Sequence, residues 1–166
     1  MSRHAKATSS HPVRHDRLIQ EHRHDPYASR AKPAEPAACP DCGAVFHGGR
    51  WRWGEAPGDA HSRLCPACKR MRDKFPAGVV LVGGEFDVAE KDEYLRLIEH
   101  AAKTESGTHP MERIMDIDDE DGSLVITTTG VHLARRIGEA LQHAHRGKLD
   151  FRYSESEQFV RVYFWH

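Results

Sequence analysis

Four cysteines fall in two equal spacings, Cys39-Pro40-Asp41-Cys42 and Cys65-Pro66-Ala67-Cys68, with 22 residues between them. Nothing else in the chain restricts its folding as strongly. Two Cys-x-x-Cys turns bring four thiolates to one tetrahedral centre with no position left for water, which is the donor set of structural zinc. No cysteine is left over. The competing readings are two disulfides, which need an oxidising compartment, and a redox dithiol. A proline after the first cysteine of each knuckle and Gly43 directly after Cys42 suit metal-binding turns. A site that fills all four positions also lowers thiolate reactivity and offers no leaving group, which counts against a redox pair. The expectation is one structural Zn²⁺ on Cys39, Cys42, Cys65 and Cys68. His47 and His61 lie close by, but in a chain with thirteen histidines they read as surface residues and are left out of the site.

The 166 residues leave room for a domain of ordinary size beside a metal-stapled module. A formal net charge of −1 hides an asymmetry: residues 1–75 hold 14 Lys/Arg against 8 Asp/Glu, and residues 76–166 hold 10 against 17. The first half therefore suits a polyanionic partner, while the second keeps the protein soluble. The opening Met1-Ser2-Arg3-His4-Ala5-Lys6 has no apolar run behind it, so no secretory signal is expected, and no apolar stretch is long enough to span a membrane. A cytoplasmic protein without a membrane partner follows, and reduced thiols in that compartment agree with zinc.

Residues 1–38 are rich in Ser, His, Arg, Pro and Ala, with too few large apolar groups to offset ordering entropy, so this basic arm is expected to be disordered on its own. Its stretch 14–24 has the pattern of a short helix ended by Asp25-Pro26, offering Arg14, Arg17 and Arg23 to phosphates or Leu18-Ile19 to a groove. Within the module of residues 39–75, Gly48-Gly49 is followed by Arg50-Trp51-Arg52-Trp53, an alternation that predicts a short strand with both Trp on one face and both Arg on the other. Arg and Trp suit phosphate contact and base stacking; Trp51 and Trp53 suit the small core of a metal module somewhat better than stacking, and the arginines keep their phosphate role in either case. Lys69, Arg70 and Arg72 extend the basic patch beyond the second knuckle.

From Pro76 the pattern changes to that of an α/β unit spanning residues 76–166. Gly78-Val79-Val80-Leu81-Val82 predicts a buried strand, and Asp87-Val88-Ala89-Glu90 is a capping box opening a helix with Tyr94, Leu95, Ile98, Ala101 and Ala102 on one face. Residues 114–117 and 124–128 predict a hairpin turning at Asp121-Gly122. Thr129 suits the cap of a second helix near 131–146, and alternating residues 149–153 and 160–164 predict two final strands. The class is α+β: a basic arm, a zinc-ribbon or treble-clef-like module, then a ferredoxin-like β-α-β-β-α-β sandwich with one extra carboxy-terminal strand.

No phosphate-binding loop, nucleophile elbow or dinucleotide fingerprint occurs, and the cysteines are committed to metal, so neither an enzyme nor a small-molecule substrate is expected. The acidic run from Asp116 to Asp121 reads as a solvated hairpin tip; as a calcium loop it would put Ile117 at the first ligand position.

The knuckle Cys39-Pro40-Asp41-Cys42-Gly43, the spacer, Leu64-Cys65-Pro66-Ala67-Cys68 and the α/β region behind them resemble the zinc-binding amino-terminal part of the nonsense-mediated-decay-three type adaptors of the large ribosomal subunit, over roughly residues 39–146. Asp16–Glu21, Trp53–Pro57 and Thr127–Leu141 are similar to small bacterial zinc-knuckle proteins of unassigned function. The resemblance carries the four cysteines across as ligands and implies affinity for the large ribosomal subunit or its RNA, in assembly, quality control or the inactive ribosomes of stressed cells. The adaptors have a second knuckle pair that this chain lacks, so export does not follow. The leading expectation is a non-enzymatic zinc protein binding ribosomal or other structured RNA through Arg50, Arg52, Lys69, Arg70, Arg72 and the arm. A zinc-shaped protein adaptor is the first rival and a redox or zinc sensor the second.

Overall fold

The computed structural model of the chain describes Tyr27, residues 32–155 and residues 158–166. The helix expected at 14–24, with Arg14, Arg17 and Arg23, lies outside the described residues.

The cysteine region builds a sheet from very short strands: β1 (Ala37–Ala38), β2 (Val45–His47), β3 (Arg50–Arg52) and β4 (His61–Ser62), in the order β3-β2-β1-β4. β1 and β2 pair antiparallel, Ala38 opposite Val45, so the first knuckle is their connecting turn. β4 runs parallel to β1 and delivers the chain to α1 (Pro66–Asp73), whose first turn carries the second knuckle. Pro66 opens α1 at a position where a missing N–H costs nothing, and Lys74 ends it in the left-handed region.

The α/β unit follows its apolar pattern closely. β5 (Gly78–Gly83) buries Val79, Val80 and Val82 completely, so both of its faces are covered, as a continuous valine run requires. α2 (Val88–Thr108) starts at the expected capping box: Glu90 N–H donates to Asp87 Oδ1 and Asp87 N–H to Glu90 Oε2, both at 2.9 Å. β6 (Ile114–Glu120) and β7 (Ser123–Thr128) form the hairpin, turning at Asp121 (φ 50°) and Gly122 (φ 79°), the two left-handed residues a two-residue turn demands. α3 (Val131–Ala144), β8 (Lys148–Tyr153) and β9 (Val160–Trp165) complete the chain. Tyr94, Ile98, Leu133, Ile137 and Leu141 from the two long helices pack on Val80, Leu124, Ile126, Val162 and Phe164 from the sheet.

Two features depart from the expected sandwich. The strand order is β6-β7-β5-β9-β8, with β9 parallel to β5 and β8 antiparallel to β9 at the outer edge. A plain β-α-β-β-α-β sandwich would set the strand after α3 directly beside β5; here the carboxy-terminal strand takes that central place, and its residues Val160, Val162 and Phe164 are fully buried there. The added strand thus makes the sheet mixed. The second departure concerns Thr129, which does not cap α3. Gly130 is the cap residue, and the Glu112 carboxylate accepts from Leu133 N–H at 2.7 Å in place of a local side chain. Thr129 instead donates to the Met111 carbonyl (2.6 Å) and accepts from Arg113 N–H (2.9 Å), fixing the loop between α2 and β6. That loop reaches the cysteines.

Candidate metal centre

The turn of the first knuckle is closed by backbone hydrogen bonds. Cys39 N–H donates to Ala44 C=O at 2.8 Å and Gly43 N–H to Cys39 C=O at 2.9 Å, with Gly43 at φ 76°, a conformation costly for a side chain larger than hydrogen. In the second knuckle Cys65 is the amino-terminal cap of α1, its sulfur accepting from Cys68 N–H at 3.4 Å, while Cys65 N–H donates to Cys39 Sγ at 3.3 Å. A strand turn and a helix start are thereby locked face to face. Asp41, inside the first knuckle, takes the guanidinium of Arg72 from the last turn of α1 in a two-bonded pair at 2.8 and 2.5 Å.

All four cysteines are free thiols, and their sulfurs lie within 4.8 Å of one another. Metal–sulfur bonds of about 2.3 Å in a tetrahedron put sulfurs about 3.8 Å apart, and Cys42 Sγ to Cys65 Sγ is 3.7 Å. A disulfide would need about 2.05 Å. Cys39, Cys65 and Cys68 are buried and Cys42 is half-buried, so the cluster is a closed four-sulfur set at metal-binding distance. Among the described residues no histidine belongs to it, and His47 and His61 are exposed.

Four thiolates around a divalent ion leave two negative charges, and the structure supplies groups to meet them. Arg113, from the loop fixed by Thr129, donates through one terminal nitrogen to Cys65 Sγ (3.4 Å) and Cys68 Sγ (3.3 Å). Burial pushes the Cys65 and Cys42 thiols up. Burial acts the same way on Cys39 but is outweighed by the backbone N–H groups of Cys65, Cys42 and Asp41, which bring it down to about 7. Arg113 is itself desolvated, yet the sulfurs keep its guanidinium charged more firmly than usual. Arg113 and Asp41 are the site residues that sequence reasoning missed. Arg113 stands 45 residues from Cys68, so no local spacing announces it. Asp41 was visible only as a knuckle spacer.

No family model, curated protein or solved structure matches this chain. What the module can do must therefore be read from its own residues. Arg50 and Arg52 are exposed on β3, and Arg52 donates to the His47 carbonyl at 2.8 Å. Lys69 is exposed on α1 with its ammonium 5.3 Å from the Tyr27 ring centre. Arg70 is buried at 4 % exposure: Tyr27 covers its guanidinium at 4.5 Å, and it donates to the Phe75 carbonyl at 3.2 Å. With Arg72 engaged by Asp41, these two hold the module together in this arrangement, whereas Arg50, Arg52 and Lys69 face outward. The tryptophans also divide. Trp51 packs on the cysteine cluster, 5.4 Å from the Phe46 ring, and Trp53, 39 % exposed, donates through its indole N–H to Ser106 C=O of α2 at 2.5 Å. Among the described residues no helix is long and apolar enough to cross a membrane.

Proposed function

We propose that the four cysteines hold one structural Zn²⁺, and that the module it shapes makes this chain a non-enzymatic, cytoplasmic protein that binds structured RNA, with the large ribosomal subunit as its target. The turn-and-helix form of the two knuckles supports a treble-clef-like reading of the module, and the element order behind it supports a ferredoxin-like unit modified by its central last strand. When bound, the metal supplies a tetrahedral link between knuckles and no reactive position. The observation that carries the RNA reading is the outward set of Arg50, Arg52 and Lys69 on a small module in which Arg70 is buried and Arg72 is engaged by Asp41.

Sedimentation of the tagged full chain with ribosomes from growing and starved cells, at increasing salt, tests this reading. Each lost phosphate contact should reduce the logarithmic salt slope by about 0.7 to 0.9. Arg50→Ala with Arg52→Ala should flatten the slope, and deletion of residues 1–32 should flatten it further. One observation favours a second reading, a protein adaptor: exposed Asp116 and Asp118 lie along the edge strand β6, where carboxylates deter strand pairing but attract a basic partner. Ribosome association that survives loss of both arginines and the arm would select that reading.

A further inference from the structure

Beside the cysteine cluster, on the side opened by the β2–β3 hairpin and the start of α1, lies a cleft of about 420 Å³, within the range of sites that enclose a small ligand. Its floor is aromatic, from Tyr27, Phe46 and Trp51, and its rim is cationic, from Lys32, Arg63 and Lys69. Among the described residues no carboxylate lines it. Glu35, on the approach to β1, turns its carboxylate to the N–H groups of Gly48 and Gly49 at 2.8 and 3.1 Å.

The rings are fixed before any ligand arrives. Trp51 rests on the cysteine cluster. Tyr27 donates its phenol to Asp73 Oδ2 at 2.6 Å, and its ring sits 5.6 Å from Phe75 under the Arg70 guanidinium. Arg70, buried and remote from phosphate, thus acquires a role in holding Tyr27. Arg63 and Lys32 are exposed, as is Lys69.

We propose that this cleft takes one unstacked nucleotide of a single-stranded or looped RNA, its base against Tyr27 and Trp51 and its flanking phosphates on Lys32, Arg63 and Lys69. A duplex keeps its bases stacked inward and offers only backbone and groove, so it has nothing to place on the aromatic floor; an unpaired nucleotide offers both a π-face and adjacent phosphates. The inference rests on the reading that the module binds RNA and goes further by naming the form of RNA and two particular cations, Lys32 from the arm and Arg63, which the sequence did not single out.

The test is fluorescence anisotropy of the metal-loaded full chain with a labelled single-stranded RNA and, separately, a blunt RNA duplex, each variant first checked for unchanged metal content. Wild type should prefer the single strand. Arg63→Glu should remove that preference by weakening the single strand selectively, and Arg50→Glu, outside the cleft, should weaken both forms alike. Stacking on an aromatic ring corresponds to roughly tenfold in affinity per base, so Tyr27→Ala should lose about that factor for the single strand while Tyr27→Phe, which keeps the ring, retains wild-type binding. If Tyr27→Ala binds the single strand as wild type does, or Arg63→Glu weakens both forms equally, the cleft is not the site, although the RNA reading stands. If wild type binds neither form, the RNA reading falls and this inference with it. Displacement of RNA by polyglutamate at equal charge concentration would assign the cleft to an acidic protein segment and overturn the proposal.

Discussion

Around the four sulfurs the buried residues are Cys39, Ala44, Cys65, Ala67 and Cys68, none larger than a cysteine, whereas between α2, α3 and the five-stranded sheet lie Tyr94, Phe164, Ile98, Ile126, Leu133 and Leu141. Ordering a residue costs about 1–2 kcal/mol of backbone entropy, and a buried methylene returns only about 0.8 kcal/mol. The α/β unit can meet that cost by burial. The module is poorly placed to do so: its strands are two or three residues long and its large apolar side chains are few, chiefly Val45, Phe46, Trp51 and Leu64. One region is held by apolar area and the other by bonds to a centre, so they should fail under different insults. Their border is also specific: Arg113 and Met111 reach from the α/β side onto the cysteines, and Trp53 reaches back to α2.

Removing a ligand should separate the two regions most sharply. Cys65→Ser should forfeit metal whose binding stabilises the module by on the order of 10 kcal/mol, so hydrogen exchange should show residues 37–74 losing protection while β5, β7 and β9 keep theirs. Loss of protection throughout the chain would mean that the regions are not separable. Ile137→Ala is the converse insult. It should cost about 2–5 kcal/mol in denaturant unfolding and leave metal content unchanged, because Ile137 belongs to the apolar core and touches no cysteine.

How much of this was legible beforehand follows from the range of each interaction. The four cysteines, the capping box of Asp87 and Glu90 and the Asp121-Gly122 turn all act within a few residues of themselves, and each stands where its spacing puts it. The division of the basic residues was not legible, since Arg70 and Arg50 differ only in what the fold sets beside them: Tyr27 and Phe75 in one case and solvent in the other. Thr129 looked like a cap because it precedes a helix; its hydroxyl is drawn away by Met111 and Arg113, sixteen or more residues earlier. Strand order failed similarly, because alternation identifies β8 and β9 as strands but does not say which of them is inserted beside β5.

Two smaller effects sharpen the border between the regions. Arg113→Met keeps bulk and removes both hydrogen bonds to sulfur. Partners of metal ligands are commonly worth 10- to 100-fold in affinity, and competition with a chromophoric chelator should show a loss of that order, partly restored in Arg113→Lys. An unchanged affinity would reduce Arg113 to packing. Glu112 supplies the smallest effect. Burial, opposed by the Leu133 N–H bond, holds its carboxyl above the ordinary range, so the folded state binds this proton more tightly than the unfolded state. The stability gained that way is present at low pH and is lost as pH rises through the folded-state pKa. Glu112→Gln keeps an acceptor for Leu133 without the charge. Its stability relative to wild type should therefore rise with pH through that window, measured by urea unfolding at successive pH values. A difference falling with pH would show the ionised carboxylate to be favoured.

Native mass spectrometry of the full chain purified without added metal shows whether the four sulfurs hold an ion. The predicted result is one zinc ion per chain with all four thiols otherwise unmodified, and a metal-free mass for Cys65→Ser. A metal-free wild-type chain that keeps residues 37–74 folded, or one carrying two disulfides, would contradict it.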